Sequence, residues 1–169
     1  MAPTRILVVF YSRSGTTKQV ALEVAKALGA DCVELTEARS RAGLFGYFRS
    51  GFEASRGLTT VLRDPHDEAL GYDLVVVGTP VWVSAVCTPV RTFLRQHAGK
   101  LPPVAFFATM GGRGSEIAFR QMAEEAKRSP VASLSLLQRD VRAGKHAEKL
   151  SAFARALRTA LPVAAVGSA

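Results

Sequence analysis

Cysteine is scarce in this 169-residue sequence, and long apolar runs are missing. The two cysteines, Cys32 and Cys87, have neither the spacing of a metal site nor that of a redox motif. No apolar run reaches the length of a membrane span. The segment Met1–Arg5 leads straight into the first predicted strand and leaves no room for a signal peptide. We therefore expect a cytoplasmic protein with no transmembrane segment.

Acidic residues are outnumbered, with 14 Asp and Glu against 22 Lys and Arg, and the formal net charge is +8. Such a balance favours anionic partners, or it can serve solubility alone. The basic residues are scattered, without a long Lys/Arg block and without basic residues interleaved with aromatics along a strand. Nucleic-acid binding is therefore not predicted.

Buried strands and amphipathic helices alternate along the chain. Short apolar runs bounded by turn residues predict five strands, and apolar residues spaced i, i+4 predict the helices between them. The predicted strands begin at Ile6 and then cover residues 31–35, 72–78, 103–109 and 131–137; the predicted helices cover 18–28, 85–97, 116–128 and 146–161. This order predicts a doubly wound α/β fold in one domain over residues 4–162, with a five-stranded parallel sheet in the order 2-1-3-4-5 and helices on both faces.

A further helix is predicted over residues 43–54, between the second and third strands. Its apolar face consists of Leu44, Phe45, Phe48 and Phe52. Two roles are open for it. It could pack on the edge of the sheet, or it could act as a lid or docking helix near the site.

Polar chemistry is concentrated where the first strand meets the first helix. Free backbone N–H groups and the helix dipole favour an anion at such a junction. The segment supplies four hydroxyl groups, one glycine and one cation: Ser12, Arg13, Ser14, Gly15, Thr16 and Thr17. Because GxxxxGK[ST] and GxGxxG are both absent, neither ATP nor a dinucleotide is favoured. We interpret the segment as a phosphate cradle; the alternative is that a hydroxyl merely caps the helix.

Two further loops are expected at the same edge, since ligands of such sheets bind beyond the carboxyl ends of the strands where the strand order reverses. The loop after the third strand contains Thr79, Pro80, Val81 and the only tryptophan, Trp82. The indole could stack on a flat ligand, or it could pack under the loop or at an interface. The loop after the fourth strand contains Met110, Gly111, Gly112, Arg113 and Gly114. Its glycines would allow backbone N–H groups to approach the edge of a planar ring, although an ordinary mobile loop is the alternative.

Together the three loops resemble those of the flavodoxin family. In that family the first loop is [ST]-x-[ST]-G-x-T and holds the phosphate of FMN; Ser12, Ser14, Gly15 and Thr17 match it, with Thr16 at the variable position. The resemblance implies that the second loop borders the isoalloxazine and that the third contacts its other side and pyrimidine edge. The second and third loops are more similar to those of small flavoproteins and quinone reductases than to those of the acidic electron carriers.

The resemblance implies an FMN-binding oxidoreductase that moves electrons from NAD(P)H or a redox partner protein to a quinone-like or other small acceptor. The alternative is a non-enzymatic electron carrier that docks on an acidic partner protein. No residue is predicted to be an obligatory acid or base, so no catalytic residue is assigned, and no metal site is expected. His97 and His146 are predicted to lie at helix ends, where charge complementarity would explain them.

Overall fold

The structure is a computed structural model that describes residues 3–38, 52 and 56–161. Its elements in chain order are β1 (Ile6–Phe10), α1 (Thr16–Leu28), β2 (Asp31–Glu34), a 3₁₀ helix (Asp67–Gly71), β3 (Leu74–Trp82), β4 (Ala85–Val86), α2 (Thr88–Gln96), β5 (Val104–Met110), α3 (Ser115–Ala126), β6 (Ser133–Leu137), α4 (Gln138–Arg142) and α5 (Ala147–Ala160). The helix predicted over residues 43–54 lies outside the described residues, apart from Phe52. Within the described ranges, no helix combines the length and the apolar character that crossing a membrane requires.

Five strands form a parallel sheet in the order β2-β1-β3-β5-β6. The two-residue strand β4 pairs antiparallel with the end of β3 and stands outside this order. With β4 set aside, the observed order is the predicted order 2-1-3-4-5. Since parallel strands all end at the same edge, the segments that follow β1, β3 and β5 lie side by side there.

Alternate residues of the strands face two different helical layers. In β1, Leu7 and Val9 join a core built with α2 and α3, whereas Ile6, Val8 and Phe10 join one built with α1, α4 and α5. Burying each such side chain contributes about 1.5–3 kcal/mol. The prediction of helices on both faces of the sheet is therefore confirmed.

Gly78 in β3 is required by its neighbour in β5. It is paired in register with Phe107, and three ring carbons of Phe107 lie 2.0–2.5 Å from the place where a Cβ at position 78 would be. Any side chain at position 78 would overlap that ring. The glycine therefore makes room for a fully buried aromatic side chain between the sheet and its helices.

The end of β3 differs from the prediction. The strand does not stop at residue 78 but continues to Trp82, because its last two residues, Val81 and Trp82, pair with β4. Most of the predicted second loop is therefore strand, and the reversal of the chain is confined to Val83 and Ser84. The helix predicted to begin at residue 85 begins at Thr88.

Candidate functional site

The segment between β1 and α1 presents an uncapped helix start. Gly15 precedes α1 with φ of 96°, a left-handed conformation that glycine adopts at little cost. No side chain caps α1, and the N–H groups of its first turn have no acceptor within the helix. The alternative of a capping hydroxyl is therefore not borne out. The Oγ of Ser12 instead accepts a hydrogen bond of 3.0 Å from the N–H of Gly15, which holds the segment in a tight turn.

The first turn of α1 is partly exposed and partly buried. Helix α1 begins at Thr16, two residues before the predicted start, so Thr16 and Thr17 both belong to the helix and both are buried. Arg13, Ser14 and Gly15 are exposed. Atoms of this segment that can reach a ligand are therefore the serine hydroxyls and the backbone N–H groups at the helix start.

Thr17 links α1 to β5. Its Oγ1 lies 2.8 Å from the Oγ1 of Thr109, and the contact is buried. A hydroxyl group has one proton to donate and two lone pairs to accept with. Whichever hydroxyl donates, the buried side chain of Thr17 is engaged with β5, and Thr17 can reach a ligand only through its backbone N–H.

The turn between β3 and β4 is made of two residues without a glycine. Val83 and Ser84 have φ values of 50° and 56°, both in the left-handed region. A two-residue hairpin whose central residues both have positive φ is a type I′ turn, which normally uses Asn-Gly or Asp-Gly. Such a conformation is strained for a β-branched residue, and here it holds Val83 with 68% of the residue's surface exposed beside the site.

Thr79 and Pro80 lie beneath this hairpin rather than at its surface. Thr79 is fully buried, its Oγ1 donates to the carbonyl of Pro80 at 2.8 Å, and it accepts from the N–H of Cys87 at 3.2 Å. Val81 and Trp82 are partly exposed. The hydroxyl of Thr79 therefore fixes the base of the hairpin, and the outer residues of the predicted loop form the surface.

Trp82 is held by Tyr11, the residue that follows β1. Their ring centroids lie 5.6 Å apart and the ring planes are at 89°, an edge-to-face contact. Tyr11 is buried, whereas Trp82 packs against the core and stays partly exposed. The indole is therefore fixed in place and still reaches the surface.

The third segment, from Met110 to Gly114, closes onto the hairpin turn. Gly114 has φ of 109°, and a Cβ at this position would lie 2.6 Å from the Cα of Ser84. Gly111 and Gly112 are exposed, and Met110 is buried with 9% of its surface still exposed. The three segments, together with the strand ends next to them, are thus linked pairwise, through Tyr11–Trp82, Thr17–Thr109 and Ser84–Gly114.

An open cavity of about 620 Å³ lies between the hairpin turn and the third segment. Its volume falls in the range of about 300–1,000 Å³ that is usual for small-molecule sites. It is lined by Ser84, Met110, Gly112, Arg113, Gly114, Ser115, Glu116 and Ile117. Loops and helix starts therefore surround a space at the carboxyl edge of the sheet, where α/β folds of this order bind ligands.

Comparison with known proteins identifies the fold family. A family model described as Flavodoxin matches residues 5–143. The chain belongs to the flavodoxin family. No curated protein sequence gives a match.

Solved structures show the same fold as this flavodoxin-family chain. A flavoprotein from Lactobacillus acidophilus NCFM, in complex with FMN, is 23% identical with a TM-score of 0.68, over 85% of this chain and 98% of that one. NADH:FMN oxidoreductase (EMOB), in its apo form, is 16% identical with a TM-score of 0.62, over 95% and 91%. Flavodoxin 1 from Bacillus cereus is 13% identical with a TM-score of 0.60, over 94% and 99%.

Five residues at this edge were not among the predicted ligand-binding residues. Tyr11 and Thr109 take part in the contacts between segments, and Ser115, Glu116 and Ile117 line the cavity. Tyr11 and Thr109 lie at the carboxyl ends of β1 and β5, and this position alone could have placed them at the site. The three cavity residues come from the first turn of α3, which the prediction began at residue 116.

The cation that directly follows the first segment, Lys18, is paired with a carboxylate of β2. Lys18 does not reach over the helix start, because its Nζ lies 3.0 Å from a carboxylate oxygen of Glu34 in β2. Next to them, burial is the main cause that raises the pKa of the Cys32 thiol; Glu34 raises this pKa further and Lys18 opposes the rise. Lys18 is thus held at the β2 side of the sheet.

The hydrogen-bonding contacts of His97 and His146 are with residues outside the three segments. His97 ends α2, as predicted, and its ring nitrogens lie 2.9 Å from the carbonyl of Phe93 and 2.9 Å from a carboxylate oxygen of Asp67. His146 precedes the amino end of α5, where a cation is not favoured, so the helix dipole does not explain it. Its Nε2 instead lies 2.5 Å from Glu23 in α1.

Three potential metal ligands come together before the 3₁₀ helix. The ligand atoms of Asp64, His66 and Glu68 lie within 4.8 Å of one another. The Nδ1 of His66 lies 2.9 Å from a carboxylate oxygen of Glu68, and the backbone N–H of His66 donates to a carboxylate oxygen of Asp64 at 2.8 Å. Hydrogen bonds within the group account for this arrangement, and both carboxylates are exposed.

Proposed function

We propose that this chain binds FMN at the carboxyl edge of its single domain, residues 4–162, and acts as an FMN-dependent oxidoreductase. It would move electrons from NAD(P)H or a redox partner to a quinone-like or other small acceptor. The observation that carries the proposal is the pairwise contact at one edge of the sheet between the ends of β1, β3 and β5 and the segments that follow them. Membership of the flavodoxin family supports it, as does the FMN complex of the Lactobacillus acidophilus flavoprotein.

The first segment would hold the phosphate. Neutral donors suit a phosphate at a helix start, and here they are the serine hydroxyls and the first-turn N–H groups of α1. Among the described residues beyond its two chain neighbours, none lies within 4 Å of where a Cβ at Gly15 would be, so none of them fills the space beside the helix start. The proposed phosphate residues are Ser12, Arg13, Ser14, Gly15, Thr16 and Thr17.

The second and third segments would border the ring. When bound, FMN supplies the redox chemistry, and the protein supplies orientation and electrostatics. Trp82 offers a partly exposed indole that Tyr11 already orients, and the glycines of the third segment expose backbone N–H groups to the polar edge of a ring. The proposed ring-binding residues are Thr79, Pro80, Val81, Trp82, Met110, Gly111, Gly112 and Gly114. Thr79 and Pro80 would act from below, by fixing the hairpin.

The visible spectrum of the purified protein tests the cofactor. After incubation with FMN and gel filtration, flavin absorbance should remain with the protein, and Trp82 fluorescence should fall in proportion to the bound flavin. A variant in which Ser12 and Ser14 are both alanine should retain less FMN, whereas Ser151→Ala, at an exposed position of α5, should retain as much as the wild type. A colourless protein that takes up no FMN would exclude the proposal.

A non-enzymatic electron carrier that docks on an acidic partner is the second candidate. The net charge of +8 favours it, because such a surface attracts an acidic protein. Steady-state oxidation of NADH and NADPH by the FMN-loaded protein, with a quinone as acceptor, separates the two. Turnover supports the oxidoreductase. A protein that binds FMN, is reduced by dithionite, and neither oxidises the two nucleotides nor passes its electrons to the quinone is the carrier.

A further inference from the structure

The cavity beside the third segment is lined by two apolar side chains, one positive side chain and one negative side chain. Met110 and Ile117 line it, and 43% of the surface of Ile117 is exposed. Val83, next to the lining residue Ser84, exposes 68%. Exposed apolar side chains that surround a concave site indicate an apolar ligand.

Two charged side chains line the same cavity, Arg113 and Glu116. Both are exposed, and within the described residues neither forms a hydrogen bond or an ion pair. Glu116 stands in the first turn of α3, where the positive end of the helix dipole partly offsets a carboxylate. The formal charges of Arg113 and Glu116 cancel, so the positive end of the helix dipole leaves a small net positive charge at the cavity.

We propose that this cavity is the site of the electron acceptor and that Arg113 selects flat aromatic acceptors that carry an anionic group. The proposal rests on the proposed function. In the reaction, two electrons and two protons pass from reduced FMN to a quinone, which leaves oxidised FMN and the hydroquinone. Of the two apolar side chains that line the cavity, Met110 is assigned to the FMN ring, so Ile117 contacts the ring of the acceptor, and the guanidinium of Arg113 pairs with its anionic substituent.

The test compares two acceptors that share one ring system, 1,2-naphthoquinone-4-sulfonate and 1,2-naphthoquinone. The FMN-loaded protein is reduced with one equivalent of dithionite and mixed with each quinone in a stopped-flow instrument, so that no physiological donor is needed. The measured quantity is the ratio of the two reoxidation rate constants. Because the intrinsic reactivity of the quinones is the same for every variant, changes in the ratio report the protein alone.

Three substitutions give opposite expectations. Arg113→Gln should lower the sulfonate-to-neutral ratio about tenfold, the effect of one charge-assisted contact at a partly exposed site. Glu116→Gln should raise the ratio, since it removes the opposing charge. Arg120→Gln is the control, because Arg120 is exposed on α3 and does not line the cavity. A ratio that is the same in the wild type, Arg113→Gln and Arg120→Gln would overturn the proposal.

A binding measurement keeps the outcome independent of turnover. Calorimetric titration of the oxidised, FMN-loaded protein with naphthalene-2-sulfonate should give a dissociation constant about tenfold weaker in Arg113→Gln than in Arg120→Gln. Equal constants in the two variants would contradict the assignment of Arg113. FMN uptake is measured first on each variant: no uptake by the wild type refutes the proposed function itself, whereas normal uptake with an unchanged ratio refutes only the acceptor site.

Discussion

The hydroxyl oxygens of Thr17 and Thr109 lie 2.8 Å apart in a buried contact between residues 92 positions apart in the chain. Thr17 lies in the first turn of α1, and Thr109 is the last residue but one of β5. The contact therefore fixes the proposed phosphate segment against the strand that leads into the third segment.

The two hydroxyl groups of this pair should contribute to the stability of the protein in a coupled, non-additive way. Thr17→Val or Thr109→Val leaves one buried hydroxyl without its partner, at a cost of about 1–3 kcal/mol in the free energy of unfolding. The double variant should cost less than the sum of the two. Urea unfolding of the four proteins measures this, and Thr159→Val, at an exposed position of α5, should change the stability by less than about 0.5 kcal/mol. Strict additivity would contradict the coupling.

Gly114 should tolerate alanine poorly and Gly112 should tolerate it well. A Cβ at position 114 would lie 2.6 Å from the Cα of Ser84 at φ of 109°, whereas a Cβ at position 112 would meet nothing within 4 Å. We expect Gly114→Ala to lower the free energy of unfolding by about 1–3 kcal/mol and Gly112→Ala to change it by under about 0.5 kcal/mol. Thermal unfolding monitored by circular dichroism compares them, and equal melting temperatures would show that the hairpin does not press on Gly114.

The hairpin turn should be easy to stabilise. Replacing Val83 with Asn and Ser84 with Gly supplies residues that adopt positive φ readily, and we expect a gain of about 0.5–2 kcal/mol. Val83→Thr keeps the β-branched side chain and should bring no comparable gain. If the Asn-Gly variant is no more stable than Val83→Thr, the observed φ values impose no strain in solution.

Cys32 should alkylate slowly, and its neighbours should tune the rate. Burial raises the pKa of its thiol, with Glu34 acting in the same direction and Lys18 in the opposite one. Since the thiolate is the reactive form, Glu34→Gln should lower the pKa and speed the reaction with iodoacetamide, while Lys18→Gln should raise the pKa and slow it. Mass spectrometry of the modified Cys32 peptide as a function of pH measures both shifts. A common inflection in the three proteins would contradict this electrostatic control.

The order of strands and helices was predictable because each buried strand is a short apolar run that ends in turn residues. The parallel order and the helices on both faces followed from that alternation. What the pattern did not predict is the hairpin at Val83 and Ser84, since type I′ turns are normally recognised by glycine or asparagine and neither residue is present.

The contacts within the site were beyond sequence reasoning for a different reason. Thr17 and Thr109 are ordinary hydroxyl residues whose partnership depends on how α1 is placed on the sheet. The same holds outside the site, where His146 and Glu23 are 123 positions apart and local pattern gives no sign of such a pair. Strand ends, by contrast, indicated the edge at which all three segments would meet.

The pairing of Gly78 with Phe107 also fixes the register of β3 against β5, and so where the two strands end at the carboxyl edge of the sheet. A slip of β3 by two residues along β5 would bring Val76 or Pro80 opposite the ring of Phe107, in the place where only a hydrogen atom fits. A slip by one residue would turn every core side chain to the wrong face. The aromatic ring thus permits only one register between the two strands, in which Pro80 is paired with Thr109. The hairpin and the glycine-rich segment consequently start from the same height above the sheet.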